Sequence, residues 1–290
     1  MDYFLDKSSN QWPTKHFGGE KMRVFLESLA KKVHGYLSNE YKREYTRLLI
    51  KWGKYRRYET RRNVRFLNYK FTVPDLLTFL GQFQEIFVKE SYRFTAATDE
   101  PLIIDCGANI GMSCLYFKKT FPSSKVVAFE ADPKIFSILT ENLNNSGIHD
   151  VELVNKAVWI DDNGIRFSVE GADGGSIYGN NNLIEVQTLR LKDFLESFSS
   201  IDLLKIDIEG AEDKVVLDCE KSLDRVKNIF IEYHSWTKKE QKLGEILAVL
   251  ESNKFRYQLE SSVPREAPLV NHHDESSIDL HVNVYGYRKE

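Results

Sequence analysis

Two stretches of the chain place reactive residue types at telling intervals. In residues 102–113, LIIDCGANIGMS, an apolar run ends in Asp105, and Gly107 and Gly111 follow in a G-x-x-x-G spacing. In residues 203–212, LLKIDIEGAE, a second apolar run delivers Asp207 and Glu209 just ahead of Gly210. Such runs suit strands buried on both faces. An acid at the end of one lies at the carboxyl edge of a parallel sheet, where open α/β sheets bind ligands. Gly107 lets the backbone turn without a Cβ clash, and Gly111 lets the next helix start close to a ligand. The spacing is not the G-x-G-x-x-G of dinucleotide sites, whose middle glycine admits a pyrophosphate to the backbone; Asn109 stands in that place. An adenosine ligand with a carboxylate and no phosphate, S-adenosylmethionine, fits better.

Each residue then has an expected task. Backbone N–H groups around 109–111 would receive the carboxylate, helped by the helix dipole. Asp105 would pair with the ammonium group, directly or through water. Glu130 ends a second apolar run 25 residues after Asp105. An acid there can take both ribose hydroxyls; the plainer alternative is a capping or surface acid. Asn155 and Lys156 either neighbour the adenine or form an ordinary loop. Asp207 and Glu209 can raise each other's pKa and supply a general base; alternatively Glu209 caps a helix and Asp207 orients other groups. His234 would deprotonate a hydroxyl or hold an acceptor sugar, against the alternative of a structural histidine. Methyl transfer from a sulfonium needs in-line approach, and positioning can supply roughly 7–11 kcal/mol of its barrier. A hydroxyl acceptor gains about 10²–10⁴-fold more from losing its proton, whereas an amine or thiol needs less help.

The elements that must hold these residues follow from the pattern. From residue 102 onward, candidate strands at 102–106, 125–130, 151–155, 201–207 and 228–232 alternate with helical stretches at 112–120, 133–144 and 211–217. Asp132 caps the second helix and Pro133 opens it. Thr237 and Glu240 form a capping box before a helix that carries Leu243, Ile246, Leu247 and Leu250 on one face. Asp162-Asn163-Gly164 reads as a hairpin turn between 157–160 and 165–169. Residues 278–287 alternate like an antiparallel strand. Upstream, residues 1–60 read as mostly helical, 64–73 as a strand pair turning near Asn68, and Pro74-Asp75 as the start of a helix. These elements divide the chain into a mainly helical basic appendage at 1–95 and an α/β domain at 96–290.

Charge supports that division. Residues 1–100 carry 19 basic and 12 acidic side chains, a net of +7, and residues 101–290 carry 21 and 31, a net of −10. Three cysteines, Cys106, Cys114 and Cys219, show no metal spacing and no disulfide framework, which suits a reducing compartment. With no signal-peptide pattern and no membrane-length apolar run, a cytoplasmic protein is expected.

IIDCGANIGMS, VVAFEADP (126–133), NKAVW (155–159), LLKIDIEGAE and IEYH (231–234) come in that order. Upstream lie the EIF of 85–87, Tyr92 and Phe94. Over about residues 64–235, this series resembles the FkbM family of S-adenosylmethionine-dependent methyltransferases. The resemblance implies an α/β class I (Rossmann-like) fold: a mostly parallel seven-stranded sheet with one antiparallel strand. It also implies O-methylation, mostly of sugars, polyketides, other secondary metabolites or surface glycans. Carried onto matching positions, it implies Asp105, Gly107, Asn109, Gly111 and Glu130 for the cofactor, and Asp207 and Glu209 beside the transferred methyl. The first 60 residues match no part of the family.

Residues 41–70 hold 11 basic and two acidic side chains interleaved with aromatics. That pattern suits a solvated or partner-binding face, including self-assembly into a homo-oligomer. The sharper alternative is a surface for an anionic or lipid-linked acceptor. A nucleic-acid methyltransferase using this segment is a rival reading. Against it, D-I-E-G lacks the Asn/Asp-Pro-Pro-aromatic pattern of amino-methylating enzymes. A non-catalytic cofactor-binding module is the third reading. Residues 171–176, GADGGS, read as a lid or an ordinary turn. His272, His273 and Asp274 lack a metal-ligand pattern, so no metal is expected.

Overall fold

The computed structural model describes residues 39–52, 57–168, 182–237, 239–262, 266–270 and 278–288. Helix α1 (Glu40–Trp52), the antiparallel pair β1 (Arg61–Phe66) and β2 (Tyr69–Val73), and helix α2 (Leu76–Phe83) come first; α2 runs into a π-helical turn at Gln84–Val88. Strands β3 (Leu102–Cys106), β4 (Lys125–Phe129), β5 (Val151–Val154), β10 (Ile201–Ile206), β11 (Val226–Trp236), β12 (Arg256–Ser261) and β13 (Ile278–Tyr287) form one seven-stranded sheet, ordered β12-β13-β11-β10-β3-β4-β5. Only β13 runs against its neighbours, β11 and β12. This is the class I methyltransferase layout. Helices α3 (Met112–Thr120), α4 (Pro133–Asn145), α5 (Leu191–Glu196), α6 (Glu212–Asp218) and α7 (Leu243–Ser252) accompany it.

Alternation along each central strand splits the core between the two faces of the sheet. Ile104, Leu204, Ile206, Ile229 and Ile231 face α5, α6 and α7 through Leu195, Val215, Val216, Ile246 and Leu250. Ile103, Leu203 and Phe230 face Leu115 and Tyr116 of α3 and the N-terminal segment. That segment is held by aromatics. Phe66 meets Phe71 and Phe79 edge-on at 5.0 and 5.2 Å, Phe87 meets Tyr116 at 5.4 Å, and Tyr92 meets Phe230 at 4.8 Å. Burying each phenylalanine contributes about 1.5–3 kcal/mol, so residues 64–94 share the core of the sheet rather than forming a loose appendage. Buried Asn142 adds a polar tie: it accepts from Thr72 N at 2.7 Å and donates to Thr72 O and Ile110 O.

Two local expectations change. Helix α7 begins at Leu243 behind Lys242, with no side-chain cap, so Thr237 and Glu240 form no capping box. Asp162-Asn163-Gly164 closes no hairpin: β6 (Ala157–Trp159) pairs in parallel with β9 (Thr188–Arg190), and β7 (Ile165–Ser168) pairs with β8 (Leu183–Val186). In residues 41–70, Arg47 bonds Glu44 and Arg65 O, and Arg57 bonds Asp75, so these two cations are engaged within the chain. Residues 1–38, 171–176 and 272–274 lie outside the described residues. Among the described residues, no helix is long and apolar enough to cross a membrane.

Candidate active site

The carboxyl ends of β3, β4 and β10 open into a cavity of about 280 Å³, closed on its far side by Gly81, Gln82 and Glu85. At the end of β3 the chain turns sharply. Gly107 has φ +89°, and a Cβ there would lie 1.8 Å from the carbonyl oxygen of Asp207, so only glycine lets this turn pass β10. The N–H groups of Gly107 and Ala108 donate to Phe129 O, which fixes the turn against β4. Asn109 takes a left-handed φ of +47° and donates its N–H to Glu130 Oε2 at 2.9 Å. Gly111, at φ +95°, is required for another reason than the one expected. Its Cβ would meet Leu139 and Leu143, so it brings α3 against α4 and is absent from the cavity wall.

Glu130 lines the cavity with both oxygens engaged, Oε1 accepting from Asp132 N at 2.9 Å and Oε2 from Asn109 N. Burial pushes its carboxyl up to about 7, against the pull of those two N–H groups. Each oxygen keeps a lone pair for a further donor. Lys156 and Ala157 also line the cavity, whereas Asn155 lies behind it and ties Glu130 O and Ala131 O with its amide. Asp105 is likewise behind the wall and fully buried: it accepts from Ser113 Oγ at 2.5 Å and pairs with Lys205 at 3.1 Å.

Lys205 was not singled out in the sequence, although a lysine inside the apolar run LLKID was the available signal. Only 2 % of its surface is exposed. Its ammonium reaches Asp105, Asp207 at 3.4 Å, and Gly107 O at 2.8 Å. Burial works against its charge, but Asp105 and Asp207 together hold it well above the usual lysine range. One side chain thus joins the turn after β3 to the end of β10.

Asp207 and Glu209 both line the cavity. Glu209 does not cap α6; fully buried Glu212 closes that turn instead, accepting from Ile208 N and Gly210 N. Burial drives Glu209 well above the usual carboxylate range, opposed by His234 and reinforced by Asp207 and Glu212. His234 stands behind the wall, with Nδ1 3.2 Å from Glu212 and Nε2 3.7 Å from Glu209; these carboxylates overcome its burial and raise its pKa. Wall residues given no role from the sequence include Glu232, Asn283 and Glu85, although Glu85 and Glu232 lie within the motifs EIF and IEYH. Burial and the charge of Asp207 raise Glu232, while a close contact with His281 opposes them. Asn283 donates to Glu85 and accepts from Ser262. No local pattern brings residues 85, 232 and 283 together.

The groups on the wall suit a nucleoside with a charged tail. Glu130 has lone pairs left that can accept paired hydroxyl donors, Ala157, Val158 and Ile135 give apolar surface, and acids line the other end. The family model described as the methyltransferase FkbM domain matches residues 105–257. Methyltransferase 1 of Beauveria bassiana is 29% identical over 177 residues, covering 51% of this chain and 71% of its own. The 2-O-methyltransferase NoeI of Sinorhizobium fredii is 29% identical over 154 residues, covering 46% and 63%. The crystal structure of methyltransferase FkbM from Methylobacillus flagellatus is 15% identical and covers 72% of this chain and 54% of its own, with a TM-score of 0.41. The methyl donor of this family is S-adenosylmethionine. On the match across the carboxyl edge of the sheet, from Asp105 to Tyr257, the chain belongs to the FkbM family of methyltransferases.

Proposed function

We propose that the protein methylates a hydroxyl of a sugar, glycan or secondary metabolite. The observation that carries this reading is one cavity with two unlike ends: Glu130 held by backbone N–H groups at one, and Asp207, Glu209 and Glu232 at the other. S-adenosylmethionine supplies an activated methyl group on its sulfonium. Glu130 would take the ribose hydroxyls, and the apolar surface beside Lys156 would take the adenine. The turn at 107–109 holds the amino-acid end, with Asp105 acting from behind it through Ser113 and Lys205. Asp207 or Glu209 would accept the proton of the acceptor hydroxyl, beside the methyl group that the cofactor would supply. His234 shares the negative charge of Glu209 and Glu212, which keeps a carboxylate available at this edge.

The 2-O-methyltransferase among the relatives supports a hydroxyl acceptor. Glu85, Ser262 and Asn283, polar and adjacent on the acceptor side, suit a polyhydroxylated molecule better than a flat base. Three buried free cysteines support a cytoplasmic setting. The test is incubation with methyl-labelled donor and a panel of sugars and glycans, read by mass spectrometry. A +CH₂ gain on oxygen is expected. Failure to bind S-adenosylhomocysteine in a calorimeter, or methyl transfer only to nucleic acid, would overturn the reading.

A further inference from the structure

We propose that Glu232, His234 and His281 bind one divalent first-row transition-metal ion on the acceptor side of the cleft. The antiparallel register of β11 and β13 sets His234 directly opposite His281, and Glu232 lies two residues along β11 on the same face. One ligand atom from each of the three lies within 4.8 Å of the others. Imidazole and carboxylate ligands sit about 2.0–2.2 Å from such an ion, and so about 3–4 Å from one another. Small side-chain rotations bring the three into that range, with the Glu232–His281 contact opening to admit the ion.

Two further observations favour a cation here. Glu212, fully buried and already fixed by Ile208 N and Gly210 N, accepts from Nδ1 of His234. In the neutral imidazole that an ion would require, Nε2 is then the lone-pair nitrogen, in the carboxylate–histidine arrangement common around bound metals. The charge balance points the same way. Asp105, Asp207, Glu209, Glu212 and Glu232 gather at this edge, with Lys205 and His234 between them. A dication answers that excess directly. Two imidazoles with a carboxylate suit manganese, iron, cobalt, nickel or zinc, whereas magnesium and calcium prefer all-oxygen sites.

Glu232 gives the site its face on the cavity, while His234 and His281 stand behind the wall. Asp207, Glu209 and His234 form a second convergent group that shares His234 with the first, and Asp207, Glu209 and Glu232 all line the cavity. An acceptor oxygen can therefore reach the ion next to the acids at the methyl-transfer edge. That use of the ion rests on the methyltransferase reading; the binding of the ion does not. The sequence hid the site because 49 residues separate Glu232 from His281.

The experiment strips the full chain with a chelator, dialyses it, and titrates Mn²⁺ while following the free-ion electron paramagnetic resonance signal. One bound ion per chain is expected, displaced by Zn²⁺ and not by an equal concentration of Mg²⁺. His281→Ala and Glu232→Gln should each weaken binding by at least the roughly tenfold that loss of an outer-shell partner costs. Far-UV circular dichroism and S-adenosylhomocysteine affinity, measured on the same samples, show whether each variant is folded. No stoichiometric binding to wild type, or equal binding by folded His281→Ala, overturns the proposal. Retained S-adenosylhomocysteine binding with no metal binding would overturn the metal site alone and leave the methyltransferase reading intact.

Discussion

The end of the cavity built from β3 and β4 and the end built from β10, β11 and β13 match their polar groups in opposite ways. At the first, a carboxylate meets backbone: both Glu130 oxygens accept main-chain N–H groups, and Asn155 ties the following carbonyls. At the second, side-chain charge meets side-chain charge. Asp207 faces Lys205, Glu209 and Glu212 face His234, and Glu232 faces His281. Backbone donors cannot leave, so the first end is formed before any ligand arrives. The partners at the second can exchange protons, ions or substrate, as chemistry on an acceptor requires. The contrast suggests that donor binding is a property of local chain geometry, whereas turnover depends on distant side chains.

Substitutions can break that contrast in graded steps. Gly107→Ala should damage both ends, because the new Cβ would meet Asp207 O at 1.8 Å and the backbone there is left-handed. Strain and overpacking together should cost about 3 kcal/mol or more, read as a lower Tm, with loss of S-adenosylhomocysteine binding. Ordinary stability and binding would show that the turn is looser than described. Asp207→Asn should separate the ends, lowering turnover by about 10²–10⁴-fold while S-adenosylhomocysteine affinity moves less than about tenfold. An equal loss of both would place Asp207 in donor binding instead.

Glu130→Ala should weaken S-adenosylhomocysteine by about 10–100-fold, the equivalent of hydrogen bonds to a charged group. The wild-type affinity should rise with pH through about 7, as the raised carboxyl of Glu130 ionises and accepts the ribose hydroxyls. Glu130→Gln should flatten that rise, and a rise that survives it would assign the titration elsewhere. The same shift favours the folded chain below the ordinary value of 4.5, and that contribution is lost as pH climbs through about 7. Asn155→Ala should have the smallest effect, about 1 kcal/mol of stability and a milder loss of affinity than Glu130→Ala. A loss as large as that of Glu130→Ala would put Asn155 in contact with the ligand.

What could be read from the chain alone follows the same division. The strand run at 102–106 was legible to the residue, as was helix 112–120. So was the Asp132 cap, because each depends on neighbours within a few positions. Glu130 was legible as a wall residue, since a strand end is a sequence position. The failures share one cause. The hairpin expected at Asp162-Asn163-Gly164 was lost to β8 and β9, which begin at Leu183 and Thr188, well beyond the turn. Thr237 and Glu240 fit a cap by spacing, yet helix α7 starts later, at Leu243.

By itself the sequence determined the alternation of strands and helices, the glycine-bearing turn after β3 and the acids at strand ends, because hydrophobic period and turn chemistry are local. Only the tertiary structure decided that Asp105 and His234 stand behind the wall and that Gly111 packs helices. It also decided that Lys205 joins two strand ends, and that Glu85, Glu232, His281 and Asn283 gather on the acceptor side. Those placements come from strand register and the docking of residues 64–94 on the sheet, and burial over such distances leaves no trace in spacing.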